Sequence, residues 1–181
     1  LYSLLKIYAG SEGKIDLIEP QQLNLSKLNQ YQSYVFLGTP SFPPQMREII
    51  NSLQSSNSGA IFCLSPNLSP EYRSFLENIF KIKFGSWQTQ PKSISYVNPN
   101  HFTTSLLAGK SLHFNNISNY WHLEGLGINA LLAGSGETFA LAKDNFILWN
   151  FDPSSERSTF LLDAAFPVFA YRCLEYASSS I

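Results

Sequence analysis

The sequence predicts a single α/β domain over residues 1–181, with a mostly parallel layered sheet that has an antiparallel edge. Two observations predict this fold class. Helical and strand-like segments alternate in the first half, a pattern typical of a parallel sheet covered on both faces. Three strand-like runs follow one another through tight turns in the second half, so the late strands should join antiparallel. A chain of 181 residues is long enough for one sizeable core.

The first half alternates as helix, strand, helix, strand and helix. These segments are LYSLLKIYAG, SYVFLGTP, SFPPQMREIINSLQSS, GAIFCL and SPEYRSFLENIF, and the first ends at Gly10. Between the first two, KIDLIEP alternates like a strand that stops at Pro20, and NLSKLNQYQ suits a turn or short helix. Ser69 and Pro70 open the last helix as N-cap and first residue. The middle helix has one apolar face, made of Met46, Ile49, Ile50 and Leu53.

The second half is mainly strands. KIKFGSWQTQ and SISYVNP suit strands or extended arms, whereas SNYWHLEG has the composition of a loop. The run INALLAGSGETFALAKDNFILWNFDP predicts three strands, over residues 128–133, 138–143 and 146–151. A Gly-Ser-Gly turn and an Asp144-Asn145 turn would connect them. An amphipathic helix that begins near Pro167 closes the chain before a Ser-rich tail.

Composition excludes some classes of function. Only 14% of the residues are charged, the net charge is −1, and no basic patch is present, so we expect no nucleic-acid partner. The two cysteines and three histidines have no metal-ligand spacing, so we expect no metal and no cofactor. No apolar run reaches the ~20 residues of a membrane span, and the sequence predicts no signal peptide within these residues. Because the chain begins at Leu1, we expect it to be a fragment of a longer protein.

Cys63 ends a short apolar run before a turn and a helix, which is where many α/β enzymes carry a nucleophile. A nucleophile elbow needs small residues two positions away on each side, because its turn is strained. Ile61 and Ser65 occupy those positions, and only Ser65 is small. We therefore expect Cys63 to be a core residue and assign no catalytic residue. The alternative is a cysteine-dependent hydrolase or amidotransferase relative in which Cys63 works with His122 or His101.

Four residues are candidates for binding: Tyr120, Trp121, His122 and Asp152. Tyr120 and Trp121 lie together in SNYWHLEG, and an exposed aromatic pair would suit a carbohydrate or small-ligand module, the second alternative. His122 precedes Glu124 by two positions, so the two side chains share a face if the segment is extended.

Two further segments have some features of ligand sites. Asp152 opens a polar cluster after the last strand, at a usual ligand position of α/β sheets. The cluster consists of Asp152, Glu156, Arg157 and Asp163, within a segment that also has the composition of a solvated loop. The Gly-rich AGSGET joins two strands, so it predicts a hairpin turn rather than a phosphate cradle.

The order of segments resembles a known family. YQSYVFLGTPSFPPQMREIINSLQSSNSGAIFCLSP, NPNHFTTSLL, INALLAGSGETFALAKDNFILWNFDP and SERSTFLLDAAFPVFAYRCLEYAS are similar to the glutamine-amidotransferase-like domain of bacterial aerotolerance (Bat-type) membrane proteins, which often carry a von Willebrand factor A domain. The family often has a Gly-rich turn where this chain has Asp144-Asn145. The resemblance implies the class I glutamine amidotransferase-like, flavodoxin-like fold.

The same resemblance implies a role. True class I amidotransferases carry a Gly-x-Cys-x-Gly elbow and a late His-x-Glu pair. The elbow is absent here, and HLE at His122–Glu124 copies only the spacing of the pair. The resemblance therefore implies a non-enzymatic interaction or scaffold domain, without catalytic residues. It would be anchored to the membrane by helices outside this chain, on the extracytoplasmic (periplasmic) side, with protein partners at the membrane.

Overall fold

A computed structural model of the protein describes residues 2–10, 13–38, 42–125, 128–153 and 157–178. These residues form four α-helices and ten strands, together with short 3-10 turns at Pro20–Gln22, Leu25–Gln30 and Thr159–Leu162. The helices and strands follow in this order: α1 (Tyr2–Ala9), β1 (Tyr34–Leu37), α2 (Met46–Ser55), β2 (Ala60–Cys63), α3 (Pro70–Phe80), β3 (Lys83–Gln88), β4 (Lys92–Ser93), β5 (Tyr96–Val97), β6 (Asn116–Ile117), β7 (Tyr120–Glu124), β8 (Ala130–Gly134), β9 (Glu137–Lys143), β10 (Phe146–Trp149) and α4 (Ala165–Ser178).

The central sheet has six strands in the order β1-β2-β10-β9-β8-β5. The β1–β2 and β2–β10 pairs are parallel, and the β10–β9, β9–β8 and β8–β5 pairs are antiparallel. The α/β class is therefore confirmed, and β1, β2, β10 and β8 run in one direction. The antiparallel part is larger than the predicted edge, because two late hairpins and the added strand β5 supply three of the five strand pairs.

The sheet is covered on both faces, as the alternating first half predicts. Every residue of β2 is buried, so its apolar run suits a strand that contacts core on both sides. Phe62 packs in one core with α2, α3, β3 and β7. Ile61 and Cys63 pack in the other core with α4, and α1 borders that core. Successive side chains of a strand point to opposite faces, which divides β2 between the two cores.

The helix boundaries follow the predicted signals. The Oγ of Ser69 accepts a hydrogen bond from the Tyr72 N–H at 3.2 Å, and Pro70 is the first residue of α3. Gly10 ends α1 with a φ of +69°, and α4 contains Pro167 in its first turn. The predicted apolar face of α2 is wholly buried: Met46, Ile49, Ile50 and Leu53.

Two predictions for the early and middle segments are wrong. KIDLIEP is not a strand, since residues 13–19 have no regular secondary structure and no backbone hydrogen bond to a strand among the described residues. Alternation alone cannot make a strand without a neighbour to pair with. SNYWHLEG is not a loop, because Tyr120–Glu124 forms β7. The predicted hairpin turns are confirmed, with positive φ at Ser135 and Gly136 and at Asp144.

A two-stranded sheet of β3 and β7 lies beside the central sheet and is fixed to it by Asn150. The Asn150 side chain is completely buried. Its Nδ2 donates to the carbonyl oxygens of Trp121 at 2.6 Å and Thr138 at 2.7 Å, and its Oδ1 accepts from the Trp121 N–H at 2.9 Å. The amide thus pairs with Trp121 as a neighbouring strand would, and holds β7 against the end of β9.

Replacing Asn150 with Ala should destabilise the protein by about 2–4 kcal/mol, because the buried peptide groups of Trp121 and the part-buried carbonyl of Thr138 would lose their partners. Urea unfolding measures this free energy. Asn145 is the matched control, since its Nδ2 also makes two hydrogen bonds, to Asn57, but at an exposed site. Asn145→Ala should lower the free energy of unfolding by less than about 1 kcal/mol. Equal losses of unfolding free energy in the two variants would contradict the proposed role of Asn150 in holding β7 against β9.

Candidate functional site

Cys63 lies at the end of β2 and is 2% exposed. Strand pairing continues past it: the Gly38 N–H donates to the Cys63 carbonyl at 2.8 Å, and the Leu64 N–H donates to the Trp149 carbonyl at 3.0 Å. Burial raises the pKa of the Cys63 thiol, and the charges of Asp152 and Cys173 add to that shift. A strained turn cannot start at a residue that still pairs with strands on both sides. The prediction that Cys63 is a core residue is confirmed by its burial.

The ends of β1 and β2 approach each other closely at the edge where α/β sheets usually bind ligands. A Cβ on Gly38 would lie 2.6 Å from the Ser65 Cβ, so only glycine fits there. The Trp121 indole N–H donates to the Ser65 carbonyl at 3.0 Å, and the Arg73 guanidinium lies 5.2 Å from the Trp121 ring centroid. In the described residues, side chains therefore occupy much of this edge.

The structure does not bring Cys63 together with a histidine. His101 Nδ1 contacts the Thr103 Oγ1 at 2.9 Å, and its ring centroid lies 4.9 Å from that of Tyr176. Burial lowers the pKa of His101. His122 lies on β7, outside the central sheet, and bonds to carboxylates. Among the described residues, no hydrogen bond joins the Cys63 thiol to either ring.

His122 and Glu124 share a face of β7, as their spacing predicts, with Nε2 and Oε1 3.5 Å apart. A second carboxylate, missed in the sequence, lies closer: the Glu137 Oε2 is 2.9 Å from His122 Nδ1, which donates when protonated. The hydrogen bond that protonated His122 donates to Glu137 is the main cause of a raised His122 pKa, and burial opposes it. Half-exposed His122 and exposed Glu124 lie on the surface, and within the described residues no acidic, histidine or cysteine cluster has metal-binding geometry.

Tyr120 and Trp121 do not form the exposed aromatic platform expected of a carbohydrate site. They are 1% and 7% exposed. Tyr120 packs edge-on against Phe139 at 5.2 Å, and Trp121 packs edge-on against Trp87 at 5.4 Å. The expectation is wrong because the segment is a strand with cores on both of its faces, rather than a loop.

The residues of the polar cluster after β10 lie in different environments and do not form one site in the described part of the chain. Asp152 is half-buried at the end of β10, beside the Cys63 region. Asp163 accepts backbone N–H bonds from Phe114 and Ala165, both at 2.8 Å, and so joins a loop to the start of α4. Burial would raise the Asp163 pKa, but these bonds outweigh it and the pKa lies below its ordinary value. Glu156 lies outside the described residues.

A groove of about 680 Å³ lies along β1. Four chain segments line it: α1, residues 13–17, residues 30–37 and the last turns of α4. Tyr8, Tyr31 and Tyr171 contribute to the lining. No single segment of the sequence indicates this groove, because its walls come from segments far apart in the chain.

The fold and these sites define a mixed α/β domain whose central cysteine is part of the core. A solved structure similar in fold is that of a protein described as ThuA-like, from Parabacteroides merdae ATCC 43184, with a TM-score of 0.58 and 14% sequence identity. The match covers 98% of this chain and 84% of that chain. No protein-family model and no curated protein sequence matches. At this identity the likeness shows a shared fold.

None of the helices in the described residues combines the length and apolarity that crossing a membrane would require.

His122 and His101 should titrate on opposite sides of the ordinary histidine pKa of 6.5, with His122 above it and His101 below it. NMR titration of the ring protons measures both values. Glu137→Gln should lower the His122 pKa more than Glu124→Gln does, because Glu137 lies closer. His101 is the internal control and should not move in either variant.

The raised His122 pKa also predicts how the folding stability of the protein depends on pH. Protonated His122 stabilises the folded state fully below pH 6.5, and this contribution is lost as the pH rises through the raised folded pKa. The stability advantage of the native protein over Glu137→Gln should therefore shrink with rising pH. An advantage that grows over that range would contradict the pairing.

Proposed function

We propose that this chain is a non-enzymatic interaction domain on a class I amidotransferase-like, flavodoxin-like fold. The observation that carries the proposal is the position of Cys63, 2% exposed at the end of a strand that pairs on both sides. The likeness in fold to the ThuA-like protein supports the fold assignment, and the resemblance to the Bat-type domains supports the role.

Cysteine catalysis requires a thiolate that substrate can reach and a base within hydrogen-bond distance. Burial acts against the first requirement, because it raises the Cys63 pKa. The hydrogen bonds of His101 and His122 go to Thr103 and Glu137, which leaves the second requirement unmet in this geometry. These features disfavour the alternative of a cysteine-dependent hydrolase. The carbohydrate alternative loses its aromatic platform, since Tyr120 and Trp121 are in the core.

The proposal extends to location and partners. By its resemblance to the Bat-type domains, the chain would belong to a bacterial membrane protein and would face the extracytoplasmic side. Helices outside this chain would anchor it, and its partners would be proteins at the membrane. Identifying the flanking segments of the full-length gene product tests this part of the proposal: membrane spans on either side would support it, and a flanking catalytic domain would contradict it.

Maleimide labelling of the folded protein tests the non-enzymatic role. Cys63 should label at least about 1,000-fold more slowly than in the unfolded chain, because labelling requires an opening that costs several kcal/mol. Peptide mass spectrometry separates Cys63 from Cys173, the other buried thiol. Exposed Ser105 offers a control: a Ser105→Cys thiol should label at once. Labelling of Cys63 as fast as this control would overturn the proposal.

A further inference from the structure

We propose that His122 is a pH-sensitive switch in the attachment of the β3–β7 ribbon to the central sheet, and that this attachment weakens as the pH rises through neutrality. The β3–β7 ribbon is the two-stranded sheet of Lys83–Gln88 and Tyr120–Glu124. The inference goes beyond the proposed function, because it names a condition that changes one surface of the domain. It is carried by the position of His122 between two carboxylates, by the charges around its ring and by what the ribbon covers.

His122 lies on β7 and contacts a carboxylate that belongs to the central sheet. Its Nδ1 is 2.9 Å from the Oε2 of Glu137 at the start of β9. Its Nε2 is 3.5 Å from the Oε1 of Glu124, which lies on β7 itself. A protonated ring has an N–H on both nitrogens and attracts both carboxylates. A neutral ring loses that charge, and the two carboxylates then repel each other across it. The contact between the ribbon and β9 is therefore stronger when His122 is protonated.

The neighbouring elements β3 and α3 bring no second charge to the His122 ring. From β3, Gly85 faces the ring, since a Cβ on this glycine would lie 3.1 Å from the His122 Cδ2. Lys83 is the register partner of Glu124, but its ammonium group pairs with Glu77 of α3 at 3.4 Å. Among the described residues, the charge between Glu124 and Glu137 therefore comes from His122.

The remaining ionisable group on this face of β7 is Tyr120. Burial, together with the charge of Glu137, raises the pKa of Tyr120 to about 12, so the phenol stays neutral on both sides of neutral pH. The hydrogen bond to Glu137 raises the His122 pKa above 6.5. The ring is therefore charged below pH 6.5 and loses its charge as the pH rises through the raised pKa.

The β3–β7 ribbon covers the carboxyl ends of β1 and β2. Trp121, the residue before His122, donates its indole N–H to the Ser65 carbonyl at 3.0 Å, just beyond the end of β2. Its backbone N–H donates to the Asn150 Oδ1 at 2.9 Å. Neither bond involves an ionisable group, so both persist while the contact of His122 weakens. A weaker attachment increases the fraction of molecules in which Trp121 leaves the edge where α/β sheets usually bind ligands.

Hydrogen exchange of the Trp121 backbone N–H tests the inference, because this N–H is bonded across the junction between the ribbon and the sheet. Its protection factor should fall about threefold between about pH 6 and about pH 8, the effect of losing one partly exposed ion pair. The Leu64 N–H, which donates to Trp149 within the central sheet, is the reference. It should be more protected than the Trp121 N–H, because the ribbon opens while the sheet stays folded.

Two variants of His122 separate its charge from its other contacts. His122→Lys keeps a positive charge, so the Trp121 protection factor should stay high across this pH range. His122→Gln is never charged, so the protection factor should stay at the low value that the native protein reaches near pH 8. His113→Gln is the matched control, since His113 is an exposed histidine outside the ribbon, and it should keep the native pH dependence.

Three results would overturn the inference. The first is a Trp121 protection factor in the native protein that does not fall with rising pH. The second is equal protection of the Trp121 and Leu64 N–H groups, which would mean that the ribbon opens only when the whole domain unfolds. The third is a native pH dependence in His122→Gln, which would assign the effect to another group.

Discussion

The structure depends on the interior position of β2. This strand pairs with β1 on one side and β10 on the other, and all four of its residues are buried. The helices on each face pack against its alternate side chains, with Phe62 in one core and Cys63 in the other. Pairing that continues to Gly38 and Leu64 leaves no freedom for a strained turn at the strand end. The same packing that stabilises the sheet therefore removes the thiol from solvent.

Many aromatic residues of the described chain are used for packing, and this affects the edge of the sheet at which α/β proteins usually bind ligands. Asn150 fixes β7 against the end of β9, which places Tyr120 and Trp121 inside the fold. Trp121 and Arg73 then cover part of the edge where other α/β proteins bind ligands.

Local signals predicted the first half well, and contacts between distant segments explain what was missed. The apolar face of α2 and the Ser69 cap of α3 are set by residues a few positions apart, so sequence alone located them. The wrong strand over residues 13–19 shows that alternation does not specify a pairing partner. Glu137 lies 15 positions from His122 and reaches it only through the packing of β7 against β9. The β1 groove likewise depends on how α1 and α4 pack, which no single segment encodes.

The central claim is that position 63 belongs to the packed core, and the unfolding free energy of Cys63→Ser tests it most directly. A serine hydroxyl without a partner in an apolar core costs about 1–3 kcal/mol, so this variant should be clearly less stable than the native protein. Cys63→Ala serves as a reference for the lost volume, and it should be the more stable of the two variants. A reactive site behaves differently, because removing its nucleophile is commonly neutral or stabilising. A Cys63→Ser protein as stable as the native one would contradict the account.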